Sequence, residues 1–469
     1  MKFRQIFIFL FLFYNISSLF SQTATLTQQQ KSWLEKSNRH EKNGWIYLHI
    51  EGSPEERGFQ YGYILSKEID HALRATEKSW QYQTAFEWNW LVQKAGEMFT
   101  KKVDKEILAE LDGMKEGLEA AGFSTSLDEL VTFNGIIELQ WYWFPTIKDS
   151  LKINTPEHKK ESCSSFIATG KMTTNGGIVL GHNTMGGYTD PQCNVIVDIL
   201  PENGNRILMQ TCIGFIHSAT DFFITSAGLI GSETTIGDFF PFNTEGEPEF
   251  SRMRHATQYA NTIDQWCDIM KKDNNGGYAN AWLLGDINTN EIARLELGLK
   301  YVALNKTKDG YFVGSNIAED MKILRFETKS NELNIKNSPV ARRERWKQLM
   351  KQYAGKIDIE IAKQFEADHY DTYLNKINPD GRTLCSHHEL DAALFGDGIP
   401  FEPGGTYDGK VVDSKSAKQM SFFARWGAAC GTAFDANKFL EDHPQYDWMS
   451  GILKDRPSQP WTVFIAGEK

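Results

Sequence analysis

The 469-residue chain carries 50 Lys and Arg against 61 Asp and Glu, a formal net charge of −11 at pH 7. A nucleic-acid backbone needs a basic face, so this balance speaks against nucleic acid as a partner. The length suffices for a large core and more than one lobe, and 13 Trp with 30 Phe point to a deep apolar interior, an apolar ligand site, or both.

Met1–Ser21 has the layout of a secretory signal. Lys2 and Arg4 form a basic start, Ile6–Tyr14 a short apolar core, and Ser17, Ser18 and Ser21 a small-residue end. Cleavage after Ser21 leaves Gln22 first, with Leu19 larger than usual three places before the cut. No later apolar run reaches about 18 residues. A secreted or periplasmic chain without stable membrane insertion is expected.

Residues 22–143 read as an α-rich N-terminal lobe that stays associated with the rest. Residues 22–42 are polar and helical, and Gly44–Glu51 is a short strand. Ser53 suits a helix cap, Pro54 a first turn, and Glu55 and Glu56 the N-terminal dipole. Helical periodicity then runs with interruptions to about Ala121, and a further helix is expected over Ser126–Leu139. Residues 144–162, with Pro145, Asn154, Pro156 and four lysines, read as an exposed linker in which a backbone cut would be accessible.

Residues 163–469 then form one domain with a helical and irregular C-terminal extension. It opens on a hairpin: Cys163 and Ser164–Gly170, an Asn175-Gly176 reversal, and Ile178–Asn183. Further strands are expected at Asn194–Leu200, Arg206–Cys212, Asp221–Thr225, Leu229–Thr235, Ala279–Gly285, Glu291–Leu297, Tyr301–Leu304 and Tyr311–Val313. Helices are expected within Ser251–Lys272. Two antiparallel sheets with helices outside account for this order, an α+β architecture. Helices follow at Val340–Tyr353, Asp358–Ala367 and Ser414–Phe423, then an irregular aromatic tail packed back on the body.

Six cysteines are present: Cys163, Cys193, Cys212, Cys267, Cys385 and Cys430. Cys193 and Cys212 flank a hairpin centred on Glu202 and Asn203, which makes a cross-strand bridge possible. Cys385 and Cys430 are the other candidate pair. Cys385-Ser386-His387-His388-Glu389 collects metal-ligand residue types, but no second clustered motif completes a zinc site, so no metal is expected.

Cys163 admits two readings, a nucleophile or a buried structural thiol. A thiol needs a base to become an efficient nucleophile. A cut between Ser162 and Cys163 would supply one on the same residue, an α-amine with a pKa of about 7.7–8.0. Acyl transfer also needs donors for an oxyanion. Asn280, at the start of ANAWLLGD, is the best candidate; Glu233 in GSETT and His182-Asn183 in GHNT are further strand-end polar groups. The absence of a GxSxG elbow disfavours a serine lipase.

The ordered set GSPEERGFQYG, CSSFIAT…GGIVLGHNTM, GLIGSETT and ANAWLLGD resembles the N-terminal-nucleophile hydrolases of the penicillin acyltransferase and phospholipase B-like group. DGKVVDSKSAKQMSFFARWG resembles the phospholipase B-like branch in particular. The resemblance spans nearly all of the chain after the signal segment. It implies a four-layer αββα sandwich, self-cleavage before Cys163, Cys163 as nucleophile and, through its amine, base, and Asn280 in the oxyanion hole. Glu233 resembles a glutamate near the nucleophile in ceramidase relatives. In GHNTM, His182 stands where the bile-salt and ceramidase enzymes carry Arg, and Met185 where they carry Asp. That departure counts against conjugated bile acids as substrate.

The expected function is hydrolysis of a linear amide of an apolar acyl group through a thioester on Cys163, with no cofactor. A phospholipase B-like ester deacylase or an acyltransferase is the alternative chemistry. A non-catalytic secreted binding protein on the same scaffold is the alternative class. The expected partner is a small N-acyl or lipid molecule; the sequence leaves the oligomeric state open.

Overall fold

The computed structural model describes residues 25–151, 163–189, 192–392 and 399–469. Met1–Ser21, Ser162 and most of the expected linker lie outside the described residues.

The first strands are β1 (Asn38–Lys42) and β2 (Trp45–Gly52). Residues 38–42 are therefore a strand, not a continuation of the helix Gln28–Glu35. The reason is the turn between β1 and β2. Asn43 and Gly44 have φ of 51° and 80°, the conformation of a two-residue hairpin turn, and Asn38↔His49 through Lys42↔Trp45 pair across it.

A helical stretch follows from Pro54 to Ile147. Ser53 and Glu56 form a capping box at its start. The helix Pro54–Ile64 lies tightly on Lys105–Ala120: a Cβ added at Gly58 would fall 1.9 Å from the Glu110 carbonyl oxygen. Buried Arg57 and Arg254 both donate to Glu110, at 2.7 and 3.2 Å, tying these helices to Glu249–Tyr259. The chain from Phe144 to Ile147 is helical with Phe144 buried against Trp80, so these residues are not part of an exposed linker.

Strands then dominate: β3 (Cys163–Gly170), β4 (Gly176–Gly187), β5 (Val195–Pro201), β6 (Ile207–Thr211), β7 (Phe222–Thr225) and β8 (Leu229–Thr235). After the helices Glu249–Tyr259 and Ile263–Lys271 come β9 (Asn280–Asp286), β10 (Glu291–Leu297), β11 (Val302–Thr307) and β12 (Gly310–Gly314). Beyond the helices Ser338–Gln352 and Ile359–Glu366 lie the short pair β13 (Tyr370–Asp371) and β14 (Lys376–Ile377), then β15 (Gly404–Thr406), β16 (Asp408–Asp413), β17 (Ser421–Trp426) and β18 (Thr462–Ile465).

One sheet has the order β1-β2-β5-β6-β7-β8-β9-β10-β11; the other runs β12-β3-β4-β16-β17-β18, with β15 on β4. Only the β2–β5 pair is parallel among the described strands. The N-terminal segment thus contributes two strands to the larger sheet as well as its helices.

The sheets pack face to face. Ser165 Oγ on β3 and Ser232 Oγ on β8 are 2.7 Å apart. Gly285 on β9 leaves room for the other sheet, since a Cβ there would sit 3.1 Å from Ile167 and 3.2 Å from Ile178. Outside the larger sheet, Trp266 of helix Ile263–Lys271 meets Trp282 with ring centroids 4.8 Å apart. Outside the smaller sheet, Phe166 meets Trp346 and Phe365 at 5.2 and 5.5 Å. The layers run helix, sheet, sheet, helix, which is the expected αββα sandwich.

Two C-terminal expectations are corrected. The helix expected over Ser414–Phe423 stops at Lys418, because Met420 takes φ 49° and the chain enters β17 between β16 and β18. The tail is not wholly irregular: β18 pairs with β17 from Ser421↔Ile465 to Ala424↔Thr462. Among the described residues, no helix is long and apolar enough to cross a membrane.

Candidate active site

The hairpin β3–β4 sets the site. Cys163 is fully buried at the first position of β3 and pairs with Thr184, while Ser164 pairs with Asn183 and Ser165 with His182. Strand alternation places Cys163, Ser165, His182 and Thr184 on one face and Ser164 and Asn183 on the other. The Ser165–Ser232 bond identifies the first face as the one toward the larger sheet.

The Cys163 main chain is held on both sides. Its N–H donates to Asn316 Oδ1 at 3.4 Å, and its carbonyl oxygen accepts from Arg342 Nη1 at 2.6 Å. Arg342 Nη2 also donates to Asn316 Oδ1 at 2.7 Å, and Asn316 Nδ2 donates to the Thr235 carbonyl at 2.9 Å. Asn316 has φ 66°, a left-handed conformation that Asn tolerates better than most residues. Asn316 and Arg342 are buried and come from segments 153 and 179 residues downstream of Cys163.

The thiol sits beside two carboxyls. Cys163 Sγ and one oxygen each of Asp221 and Glu233 lie within 4.8 Å of one another, all buried. Tyr278 Oη is 2.7 Å from Asp221 Oδ2 and 2.8 Å from Glu233 Oε1. One hydroxyl proton serves only one of these contacts, so a carboxyl proton completes the network. Burial, then the neighbouring Asp221 charge, holds Glu233 well above the usual carboxylic range; burial raises Asp221 to about 6. A neutral Glu233 with Oε1 against the Tyr278 hydroxyl fits this arrangement. Burial first, then Glu233 and Asp221, pushes the Cys163 thiol well above its ordinary value. Tyr278 meets one oxygen of each carboxyl, while Asp221 Oδ1 and Glu233 Oε2 are buried without a hydrogen-bond partner among the described residues.

His182 does not touch the Cys163 thiol in a direct hydrogen bond. Its Nε2 lies 3.0 Å from the Glu233 carbonyl oxygen, and its Nδ1 is buried without a partner among the described residues. Burial, then Lys410, holds the ring well below its ordinary pKa, so it is neutral and Nε2–H donates. His182 thereby fixes the main chain at Glu233. Lys410 pairs with His182 in the β4–β16 register and is itself buried. Its ammonium binds Asp408 Oδ1 at 2.9 Å, the Thr220 carbonyl at 3.2 Å, and Thr184 Oγ1. Asp408 in turn accepts from the Thr184 N–H at 3.0 Å and from Gln210 at 2.7 Å.

Asn280 opens β9 opposite Thr235, one alternate position from Glu233, so Asn280 and Glu233 share a face of their sheet. Both side-chain polar atoms of Asn280 are buried and find no hydrogen-bond partner among the described residues. A buried amide is rarely left so, which makes it a free donor and acceptor for a ligand. Asn183 is not brought into this group. Its Nδ2 donates to the Glu366 and Leu384 carbonyls at 2.7 and 3.0 Å, on the opposite face of β4.

Cys193 and Cys212 are joined by a disulfide across the β5–β6 hairpin. Cys385 and Cys430 are not: both are free thiols, with His387 Nε2 at 3.7 and 3.4 Å from their sulfurs. Sequence reasoning did not reach Asp221, Tyr278, Asn316, Arg342, Asp408 or Lys410. For Lys410 a signal existed, a lysine in the apolar-flanked strand DGKVVD. Tyr142, from the aromatic run Trp141–Phe144, is buried against Tyr278, Ala279 and Phe239, so the N-terminal helices close one side of the site. An open cleft of about 300 Å³ lined by Lys67, His71, Tyr188, Gln192 and Lys454 includes none of the site residues.

A buried cysteine opening an inner strand, clamped at its own main chain and set beside two buried carboxyls, defines an αββα protein built around one thiol. The Phospholipase B family model matches residues 33–302, more than half of the chain, and the chain belongs to that family. It is 25% identical to phospholipase B-like 1 of Homo sapiens over 252 residues, covering 47% of this chain and 43% of the human one. It is 27% identical to phospholipase B of Crotalus adamanteus over 265 residues, covering 50% and 44%. An uncharacterized protein of Archaeoglobus fulgidus is 23% identical over 248 residues, covering 50% and 40%. The chain thus spans less than half the length of these relatives. Among solved structures, a mutant conjugated bile acid hydrolase from Clostridium perfringens is similar with a TM-score of 0.34 and 9% identity, over 64% of this chain and 96% of that one.

Proposed function

We propose that the protein is an exported acyl hydrolase that becomes active when the chain is cut between Ser162 and Cys163. The observation that carries this reading is the main-chain clamp on Cys163: Asn316 Oδ1 receives its N–H and Arg342 holds its carbonyl. The same contacts would hold a free α-amine next to its own sulfur. In the uncut chain the thiol is buried and strongly protonated, and its nitrogen is an amide without basicity.

Self-cleavage starts with Cys163 Sγ attacking the Ser162 carbonyl carbon. The peptide bond breaks as the thioester forms, and the nitrogen takes the proton. Water then hydrolyses the thioester to a Ser162 carboxylate and restores the thiol. Turnover repeats this chemistry on substrate. The α-amine takes the thiol proton and the thiolate attacks an acyl carbonyl. Asn280 Nδ2 donates to the developing oxyanion. The ammonium returns its proton to the leaving nitrogen, and water, deprotonated by the amine, releases the acid. Glu233, Asp221 and Tyr278 keep a shared proton next to the sulfur. His182 acts as a positioning residue through the Glu233 carbonyl.

A linear amide of an apolar acyl chain is the substrate class put forward. Membership in the Phospholipase B family supports a second reading with the same steps, an ester oxygen replacing the leaving nitrogen. Incubating cut protein with long-chain N-acyl amino acids and with lysophospholipids, followed by acid quench and peptide mapping, separates them. A thioester on Cys163 from either class supports the mechanism, and the faster class names the bond. Acid release that persists undiminished in Cys163→Ala overturns it.

A further inference from the structure

The four side chains His369, Cys385, His387 and Cys430 gather far from Cys163 in sequence and take no part in the steps above. One donor atom from each lies within 4.8 Å of all the others. His369 follows the helix Ile359–Glu366. The Cys385 N–H donates to the Asp368 carbonyl at 3.0 Å, which sets His369 beside Cys385. Cys430 is carried in by the turn after β17, closed by Gly431 N–H on the Ala428 carbonyl at 2.7 Å.

The distances fit one small ion. A tetrahedral zinc with bonds of about 2.3 Å to sulfur and about 2.1 Å to nitrogen keeps those donors about 3.6 Å apart. His387 Nε2 is 3.7 Å from Cys385 Sγ and 3.4 Å from Cys430 Sγ.

Two further observations point the same way. Glu389 Oε1 accepts from His387 Nδ1 at 2.8 Å. That contact fixes the tautomer, so Nε2 carries the lone pair toward the two sulfurs, as the outer partner of a metal-bound histidine does. His369 Nε2 is buried with no hydrogen-bond partner among the described residues. Cys385 and His387 are buried while His369 and Cys430 are partly exposed, so the cluster borders solvent.

We propose that His369, Cys385, His387 and Cys430 form a structural binding site for a zinc ion. Four protein ligands leave no open position, which suits a fastener and not a catalyst. The ion would join three separate segments. The middle one pairs His387 with Gly405 of β15, and β15 pairs with Met185–Gly187 of β4, immediately after Thr184 opposite Cys163. Binding deprotonates the two thiols and releases their protons. It also competes directly with a Cys385–Cys430 disulfide.

The test uses the full chain without a polyhistidine tag, purified without chelator, with metal measured by inductively coupled plasma mass spectrometry. One zinc per chain is expected in the wild type and in Cys163→Ala, so the result is independent of the function proposed above. Cys430→Ser and His369→Ala should lose most of it. If the variants fail to fold, cobalt exchanged into wild type gives the readout: thiolate-to-cobalt charge transfer and tetrahedral visible bands. Metal-free protein that gives none of these bands, or intact-mass evidence that Cys385 and Cys430 are disulfide-bonded in the purified chain, overturns the site.

Discussion

Arg342 donates to the carbonyl oxygen of Cys163 at 2.6 Å and to Asn316 Oδ1 at 2.7 Å, joining the helix Ser338–Gln352 to the first residue of β3. Both acceptors are buried. Arg342→Ala removes the donor from the Cys163 carbonyl and leaves Asn316 Oδ1 with the Cys163 N–H alone, at about 1–3 kcal/mol for the buried group left unsatisfied. A lower urea midpoint is expected, with Arg342→Lys recovering part of the loss. Unchanged stability in Arg342→Ala would mean that the clamp holds nothing.

Asn280 predicts the opposite pattern. Its amide has no partner among the described residues, so Asn280→Ala forfeits no bond and should keep the wild-type melting temperature. Loss of an oxyanion donor should lower kcat by about 10²–10³-fold. The comparison is thermal melting alongside steady-state kinetics. A large fall in melting temperature with kcat retained would make Asn280 a structural residue.

The Asp221–Glu233 pair gives a pH prediction with a definite sign. Burial raises Asp221 to about 6 from an ordinary value of 3.8, so the folded state holds a proton that the unfolded state releases. Stability from this group is fully present below 3.8 and is lost as pH rises toward 6. Glu233 is raised as well and acts in the same direction. Asp221→Asn removes the Asp221 titration. Its stability relative to wild type should therefore rise between about pH 4 and 6, measured by denaturant melts at several pH values. A flat or falling difference contradicts the shared proton.

Lys410 and Asp408 form a fully buried ion pair. Lys410→Met strands the Asp408 charge and should cost about 3–5 kcal/mol. Lys410→Met with Asp408→Asn should cost less than Lys410→Met alone. Equal losses in the single and double variants would mean that the pair is not coupled. Lys410 also lowers the Cys163 thiol pKa against the larger effects of burial and the two carboxyls. Thiol alkylation in a folded Lys410 variant should be slower at a given pH.

Local pattern made much of the fold legible. Asn175-Gly176 announced the β3–β4 hairpin, and Ser53-Pro54 with Glu56 announced a helix start that forms a capping box. The Met420 break was hidden because Ser414–Phe423 contains neither Gly nor Pro to mark it. At the site, Cys163, Glu233 and Asn280 stood at strand starts or within recognisable strands. Asp221, Tyr278, Asn316 and Arg342 come from loops and a helix in four separate segments. Nothing in their neighbours' spacing reports that they converge, since convergence is a property of two sheets packing face to face. Asn183 misled for the same reason read in reverse. It adjoins His182 in sequence, but strand alternation sends it to the opposite face. Cys385 and Cys430 are plausible disulfide partners in the sequence; only the fold shows His369 and His387 gathered around them.

The proposed mechanism requires the chain to be cut immediately before Cys163 by its own sulfur. Intact-mass spectrometry of the purified full-length product, wild type beside Cys163→Ala, reads that cut. Two wild-type fragments are predicted, meeting at Ser162/Cys163, the second beginning with an unmodified cysteine, together with a single uncut chain in Cys163→Ala. An uncut wild type that nevertheless hydrolyses acyl substrates, or a Cys163→Ala chain cut at the same bond, would contradict it.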